Sequence, residues 1–273
     1  VSDTAGASAF TVMGIVNVTP DSFSDGGCYL EPDAAVAHGL ALEREGAAIL
    51  DVGGESTRPG AQPVSARVEL ERVAPVIEGL RAAGTAARIS IDTYKATVAT
   101  AALAAGASLV NDITALRGDP ELADVVADAG CEVCLMHMQG EPRTMQRNPR
   151  YGDVVAEVRA FLEARIEFAL SRGIALERIV IDPGIGFGKT AAHNVELIAR
   201  LSELTTLGRP ILIGTSRKSF LGALTGRQAA SERLAATIAS NVLALERGAS
   251  IFRVHDVAPV ADALAVAAAT LRG

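Results

Sequence analysis

One feature constrains this chain more than any other: eight short apolar, β-branched runs alternate with longer segments of helical pattern. The runs lie at 11–18, 48–52, 88–91, 109–113, 132–136, 179–181, 211–213 and 251–254. The segments between and after them, 33–45, 65–83, 96–105, 120–129, 153–172, 192–204, 231–247 and 258–271, return apolar residues at helical spacing. The short runs are nearly continuous in apolar residues rather than alternating, as parallel strands covered on both faces are. An eightfold βα repeat favours an α/β fold of the closed (β/α)8 TIM-barrel type over an open doubly wound sheet. With 273 residues, 49% of them hydrophobic, the chain can bury one large core. Residues 1–273 are therefore expected to form a single domain, and no tandem repeat, low-complexity stretch or shift of composition divides them.

Composition narrows the function. The formal charge is −7, and the 25 basic residues are dispersed, so there is no electrostatic footprint for nucleic acid. An anionic ligand must then be held by local groups. The first ten residues lack the basic start and apolar stretch of a signal peptide, and no apolar run approaches the ~20 residues of a membrane span. A cytoplasmic protein without membrane or nucleic-acid partners is the expectation. The three cysteines form no disulfide framework. Cys131 and Cys134 mimic a metal or redox pair, but on a strand residues three apart point to opposite faces, and both are read as buried thiols. The run from Gly184 to Gly188 reads G-x-G-x-G after a late strand, which is not the dinucleotide-binding spacing.

In a barrel, active sites are built at the C-terminal ends of the strands. That rim receives Asn17, Asp51, Glu55, Asp92, Asn111, Asp112, His137, Asp182, Lys218, Arg253 and His255. Any one of these acids has an ordinary alternative as a helix cap or loop anchor; their joint placement is harder to assign to packing. Two polar loops rich in Gly and Pro, 19–27 and 53–61, leave strands one and two and suit a lid that excludes water.

The motifs themselves carry a resemblance. MGIVNVTPDSFSDGG at 13–27 and DVGGESTRPGA at 51–61 are similar to the two loop signatures of the dihydropteroate synthases. SIDT at 90–93, ND at 111–112, DPGIGFGK at 182–189, SRKS at 216–219 and RVHDV at 253–257 resemble later blocks of that family, in the family's order. Together they run from the first strand to the eighth.

The resemblance implies an enzyme of folate biosynthesis, a transferase that joins a pterin pyrophosphate to para-aminobenzoate and releases pyrophosphate. A pterin edge offers a ring N–H beside an amino group, and a carboxylate accepts both; Asp182 is the candidate. The resemblance adds Asn111 and Asp92 on the same edge, Lys218 toward the ring oxygen and nitrogen, and Phe187 with the stem of Arg253 against the ring faces. Arg253 and His255, two apart on a strand and so on one side, face the pyrophosphate. Asn17 is implied as the protein ligand of Mg2+, an ion that prefers oxygen donors and bridges phosphates. Asp21, Ser22, Phe23, Asp25, Thr57, Arg58 and Pro59 would close over the reacting carbon, the last three with Phe23, Lys218 and Ser219 shaping the aminobenzoate pocket. His137 has no assigned role. Sulfonamides should compete with aminobenzoate, and a homodimer is the family expectation.

Two other functions fit parts of this pattern. A pterin-dependent methyltransferase, passing a methyl group from a folate to a corrinoid, would share acids resembling Asp92, Asn111 and Asp182 but not the loop signatures or SRKS. A catalytically inactive pterin-binding paralogue would keep the fold without turnover. Arg253→Ala separates that reading, since in an enzyme catalysis should fall far more than folding stability. Two departures from the family pattern, the brief segment 220–230 and Phe252 in place of a smaller aliphatic, concern loop length and local packing and not the implied roles.

Overall fold

The structure is a computed structural model, and it describes residues 10–19, 32–56 and 61–272. Among the described residues there are eight strands: β1 (Thr11–Asn17), β2 (Ile49–Gly53), β3 (Arg88–Asp92), β4 (Leu109–Asp112), β5 (Glu132–Met136), β6 (Ile179–Asp182), β7 (Leu212–Ile213) and β8 (Ile251–Val254). All pair in parallel in the order β6-β5-β4-β3-β2-β1-β8-β7. A parallel bridge between Ile181 and Ile211 joins β6 to the β7 side and closes the barrel. Closure removes the exposed edges that an open sheet of this composition would carry.

Helices α1 (Pro32–Arg44), α2 (Ala66–Ala82), α3 (Ala96–Ala104), α4 (Leu122–Ala129), α5 (Val154–Ser171), α6 (Ala191–Ala199), α7 (Ser219–Thr225), α8 (Leu234–Glu246) and α9 (Val257–Arg272) cover the outside. Their starts follow local chemistry. Ser65 and Asp153 cap α2 and α5 through side-chain oxygens, and Thr190 forms a reciprocal capping box with His193 on α6. α6 is shorter than the 192–204 pattern suggests, because the chain tightens into a 3-10 helix over Leu201–Leu207 that ends at Gly208 in the left-handed region. α7 was not foreseen: its seven residues hold too little periodic pattern to register as a helix.

Two apolar layers are separated by the strands. Outward-facing residues such as Val12, Leu50, Ile89, Val133 and Ile181 join the helices in one large cluster. Phe252 belongs to it and is fully buried, so its bulk fills the helix side and not the interior. Inside the barrel, Met13, Ile49, Leu109, Cys134, Val180, Leu212 and Ile251 form a second cluster. The cysteine parity expected on β5 is observed: Cys134 faces the interior and Cys131 the helix layer. Burial pushes the Cys131 thiol up to about 11 and raises Cys134 as well, so both stay protonated and unreactive.

Candidate active site at the barrel mouth

A strand turns the same face inward every second residue. Two residues beyond four of the apolar interior positions, the sequence becomes polar: Ile49 leads to Asp51, Leu109 to Asn111, Val180 to Asp182 and Ile251 to Arg253. In-register pairing across β3 and β4 sets Asp92 beside Asn111, and that across β5 and β6 sets Met136 beside Asp182. The result is a cavity lined by Ile15, Asp92, Asn111, Ile113, Met136, Asp182, Phe187, Gly214, Ser216, Lys218, Arg253 and His255.

Arg253 organises one side. Its Nε donates to Asp51 Oδ2 at 2.6 Å and its Nη2 to Asp92 Oδ2 at 2.7 Å. Asn111 Nδ2 donates to the same Asp51 oxygen at 3.1 Å. Asp51 is completely buried behind the cavity and acts as the anchor that aims both side chains. Burial opposes the guanidinium charge, yet Asp51, Asp92 and Asp182 outweigh it and hold Arg253 above its ordinary pKa. Burial, opposed by Arg253 and reinforced by Asp51, pushes the Asp92 carboxyl up to about 7.

Across the cavity, Asp182 Oδ1 accepts from the Gly184 backbone N–H at 2.6 Å. That bond fixes the plane of the carboxylate. Burial raises its pKa, while Lys218, the Gly184 N–H and Lys189 pull the other way. Lys218 donates to the Ile185 carbonyl, and its ammonium lies 4.7 Å from the centroid of the Phe187 ring. Burial drags its pKa down to about 8 despite the attraction of Asp182, and the charge of Arg253 adds to the fall. Lys218 follows Arg217, which takes φ of 58° and is braced by a bidentate ion pair to Asp256. Ser216 meets His255 twice, as Oγ to Nδ1 at 2.9 Å and as acceptor from the His255 backbone N–H at 3.1 Å.

The structure thus brings together Asp92, Asn111, Asp182, Phe187, Lys218, Arg253 and His255. Asn17 ends β1 half-buried on the same rim, outside the cavity lining, and Ser219 is exposed at the start of α7. Asp21, Ser22, Phe23, Asp25, Thr57, Arg58 and Pro59 fall in 20–31 and 57–60, outside the described residues. Two rim acids serve local structure. Asp112 accepts from the Thr114 and Leu116 backbone and caps the turn after β4, Glu55 pairs with Lys95, and Lys95 also pairs with buried Glu69. The sequence reading gave no role to Asp51, Ile15, Ile113, Met136 or Ser216. The period of two along each strand would have flagged the first four, which stand at inward positions.

Fold and site together define a class: a parallel (β/α)8 barrel with a deep polar cavity at its C-terminal mouth, built from acids, an amide, a lysine, an arginine and a histidine. Residues 13–255 match the pterin binding enzyme family, and the chain belongs to it. It is 48% identical over 260 residues to the dihydropteroate synthase of Escherichia coli (strain K12), covering 95% of this chain and 91% of that protein. Among solved structures, the dihydropteroate synthase of Xanthomonas albilineans with 4-aminobenzoic acid is similar at a TM-score of 0.90 and 54% identity, covering 95% of this chain and 92% of the other. The same enzyme in complex with 7,8-dihydropteroate gives a TM-score of 0.87 and 52% identity, covering 95% and 93%.

Proposed function

We propose that this protein is a dihydropteroate synthase. It condenses 6-hydroxymethyl-7,8-dihydropterin pyrophosphate with para-aminobenzoate to give 7,8-dihydropteroate and pyrophosphate, a step of folate biosynthesis. The observation that carries this reading is the convergence of Asp92, Asn111, Asp182, Lys218 and Arg253 on one cavity. Asp182, with Oδ1 fixed by Gly184, presents a carboxylate to the paired N–H donors of the pterin edge. Asn111 and Asp92 extend that edge, Lys218 donates to the ring oxygen side, and Phe187 lies against a ring face. A ring lacking this donor and acceptor pattern would leave buried groups unpaired and be rejected.

Chemistry follows from the charges. Cleavage of the carbon–oxygen bond leaves a pterin methylene cation stabilised by the electron-rich ring nitrogens, and the carboxylates that hold the ring, Asp92 and Asp182, favour the positive charge it spreads over the heterocycle. Arg253 keeps donors beyond those given to Asp51 and Asp92, and with His255 it meets the departing pyrophosphate, where donors matter most as charge develops. Ser216 occupies His255 Nδ1, so a contact from that ring to phosphate runs through Nε2. The aromatic amine is neutral near pH 7 and attacks without a strong base.

Mg2+ fits the rim. Asn17 offers one amide oxygen, and the described residues gather no cluster of three His, Cys, Asp or Glu, a donor set suited to an ion that takes its other ligands from phosphate and water. When bound, the ion neutralises charge on the pyrophosphate. Asp21, Phe23, Asp25, Thr57, Arg58 and Pro59 complete the aminobenzoate side with Lys218 and Ser219. The protein works in the cytoplasm as a single-domain homodimer, and no helix among the described residues is long and apolar enough to cross a membrane.

The test is direct. Incubation with the pterin pyrophosphate, para-aminobenzoate and Mg2+ should release pyrophosphate and form dihydropteroate, and sulfonamides should inhibit competitively against aminobenzoate. Folded protein that releases none would overturn the assignment, and methyl transfer to a cobalamin in its place would make the protein a corrinoid methyltransferase.

A further inference from the structure

The loop after β6 carries more hydrogen bonds than a turn requires. Gly184, Gly186 and Gly188 have φ of 68°, 83° and 64°. A Cβ on Gly184 would fall 1.8 Å from the His137 carbonyl oxygen, so the turn is pressed against the segment that leaves β5. Each carbonyl from 184 to 188 accepts from a side chain. Lys189 Nζ takes those of Gly184 and Phe187, both at 3.0 Å, Lys218 takes Ile185, Gln146 takes Gly186, and the Tyr151 hydroxyl takes Gly188 at 2.8 Å.

Lys189 is the hub of this arrangement. It is 3% exposed, and its Nζ lies 2.9 Å from His137 Nδ1. An ammonium has three hydrogens to give and no acceptor. Within reach of Nζ lie the carbonyls of Gly184 and Phe187, His137 Nδ1 and, at 3.4 Å, the His137 carbonyl, and burial pushes the Lys189 pKa down to about 7. Burial, with the charges of Lys189 and Arg117, pushes the His137 pKa down to about 3 and keeps that ring neutral. Its other side packs edge-on against Phe161, with ring centroids 4.8 Å apart. Neither Lys189 nor His137 lines the cavity. They stand behind the turn that supplies the Gly184 N–H to Asp182, the Phe187 ring to the cavity and the Ile185 carbonyl to Lys218.

We propose that Lys189 is a positioning residue of this site: anchored on the neutral imidazole of His137, it locks the 184–188 turn so that Asp182, Phe187 and Lys218 stand in the geometry that a flat pterin requires. The inference rests on the reading of the cavity as a pterin site.

Three variants test it: Lys189→Met, His137→Leu and His137→Gln, the last keeping an acceptor for Lys189. Calorimetric binding of the unreactive alcohol 6-hydroxymethyl-7,8-dihydropterin is measured beside steady-state KM for both substrates and thermal unfolding. Lys189→Met and His137→Leu should each weaken pterin binding about tenfold or more, a loss of about 1.4 kcal/mol per tenfold. KM for aminobenzoate, whose pocket shares Lys218 with the pterin side, should rise by less than the pterin affinity falls, and His137→Gln should restore most of the pterin affinity. A folded Lys189→Met that binds pterin like the unsubstituted protein would overturn the inference and leave the function standing. If Lys189→Met does not fold, equal pterin affinities of His137→Leu and His137→Gln would overturn it. Failure of the unsubstituted protein to bind pterin would overturn the functional reading and this inference with it.

Discussion

The two halves of the barrel interior are built on the same strands, yet they obey opposite rules. In the lower half, Met13, Ile49, Leu109, Cys134, Val180, Leu212 and Ile251 make an apolar cluster, with buried Ser90 of β3 in register with Leu109. Two residues further along the same strands, Asp51, Asn111, Asp182 and Arg253 occupy the equivalent inward positions. The lower layer is held by burial alone and tolerates any residues of the right volume. The upper layer consists of groups that are expensive to bury singly and are affordable only as a set, because Asp51 satisfies both Asn111 and Arg253 while Arg253 satisfies Asp92. One layer stores stability, and the other spends it on a fixed array of charge facing the mouth.

Substitution of Arg253 should break that distinction most severely. Without it Asp51 and Asp92 lose their shared cation, so Arg253→Ala should lower kcat/KM on the order of 1000-fold and also cost roughly 3 kcal/mol of unfolding free energy. Sequence alone suggested that stability would be spared; the buried carboxylates behind Arg253 are the reason it is not. Combining Arg253→Met with Asp51→Asn should recover much of the stability, measured by denaturant unfolding, and none of the activity. Recovery of activity would mean that Arg253 serves packing only.

A cut in the lower layer should do the reverse. Ile49→Ala removes a fully buried side chain and should cost roughly 2–4 kcal/mol in denaturant unfolding, while kcat of the folded fraction stays within about threefold. A large loss of kcat there would show the two layers to be mechanically coupled. The smallest effect is a pH limb. Lys218 is cationic below its pKa of about 8 and neutral above it, so kcat/KM should fall as pH rises through that value. Lys218→Arg keeps its charge to far higher pH and should be slower but lack the limb. An unchanged limb in that variant would assign it to another group.

Much of this was legible in the residues. All eight strands appear where their apolar runs lie, with ends within a residue or two, because a strand covered on both faces leaves a compact mark that does not depend on partners. Polar residues at or just past the ends of most runs identified the rim. Pairing was not legible. Asp51 and Asp112 are both acids at strand ends, yet one points inward to hold Arg253 and the other caps a turn. His137 follows Met136, which lines the cavity, so strand parity turns it away toward Lys189, and burial, reinforced by the charge of that lysine 52 positions later, keeps it neutral. Short α7 and the 3-10 ending of α6 were missed because seven residues contain too few turns to show a period.

What the sequence determined by itself was the alternation, the inward parity of each strand and the chemical character of the mouth, since these are set by local periodicity. Which carboxylate balances which cation, and which lysine faces the ligand and which braces the turn behind it, was decided only by barrel closure. Closure brings residues up to 202 positions apart, as Arg253 and Asp51 are, into hydrogen-bonding distance, and the energy of a buried charge depends on its nearest neighbours in space.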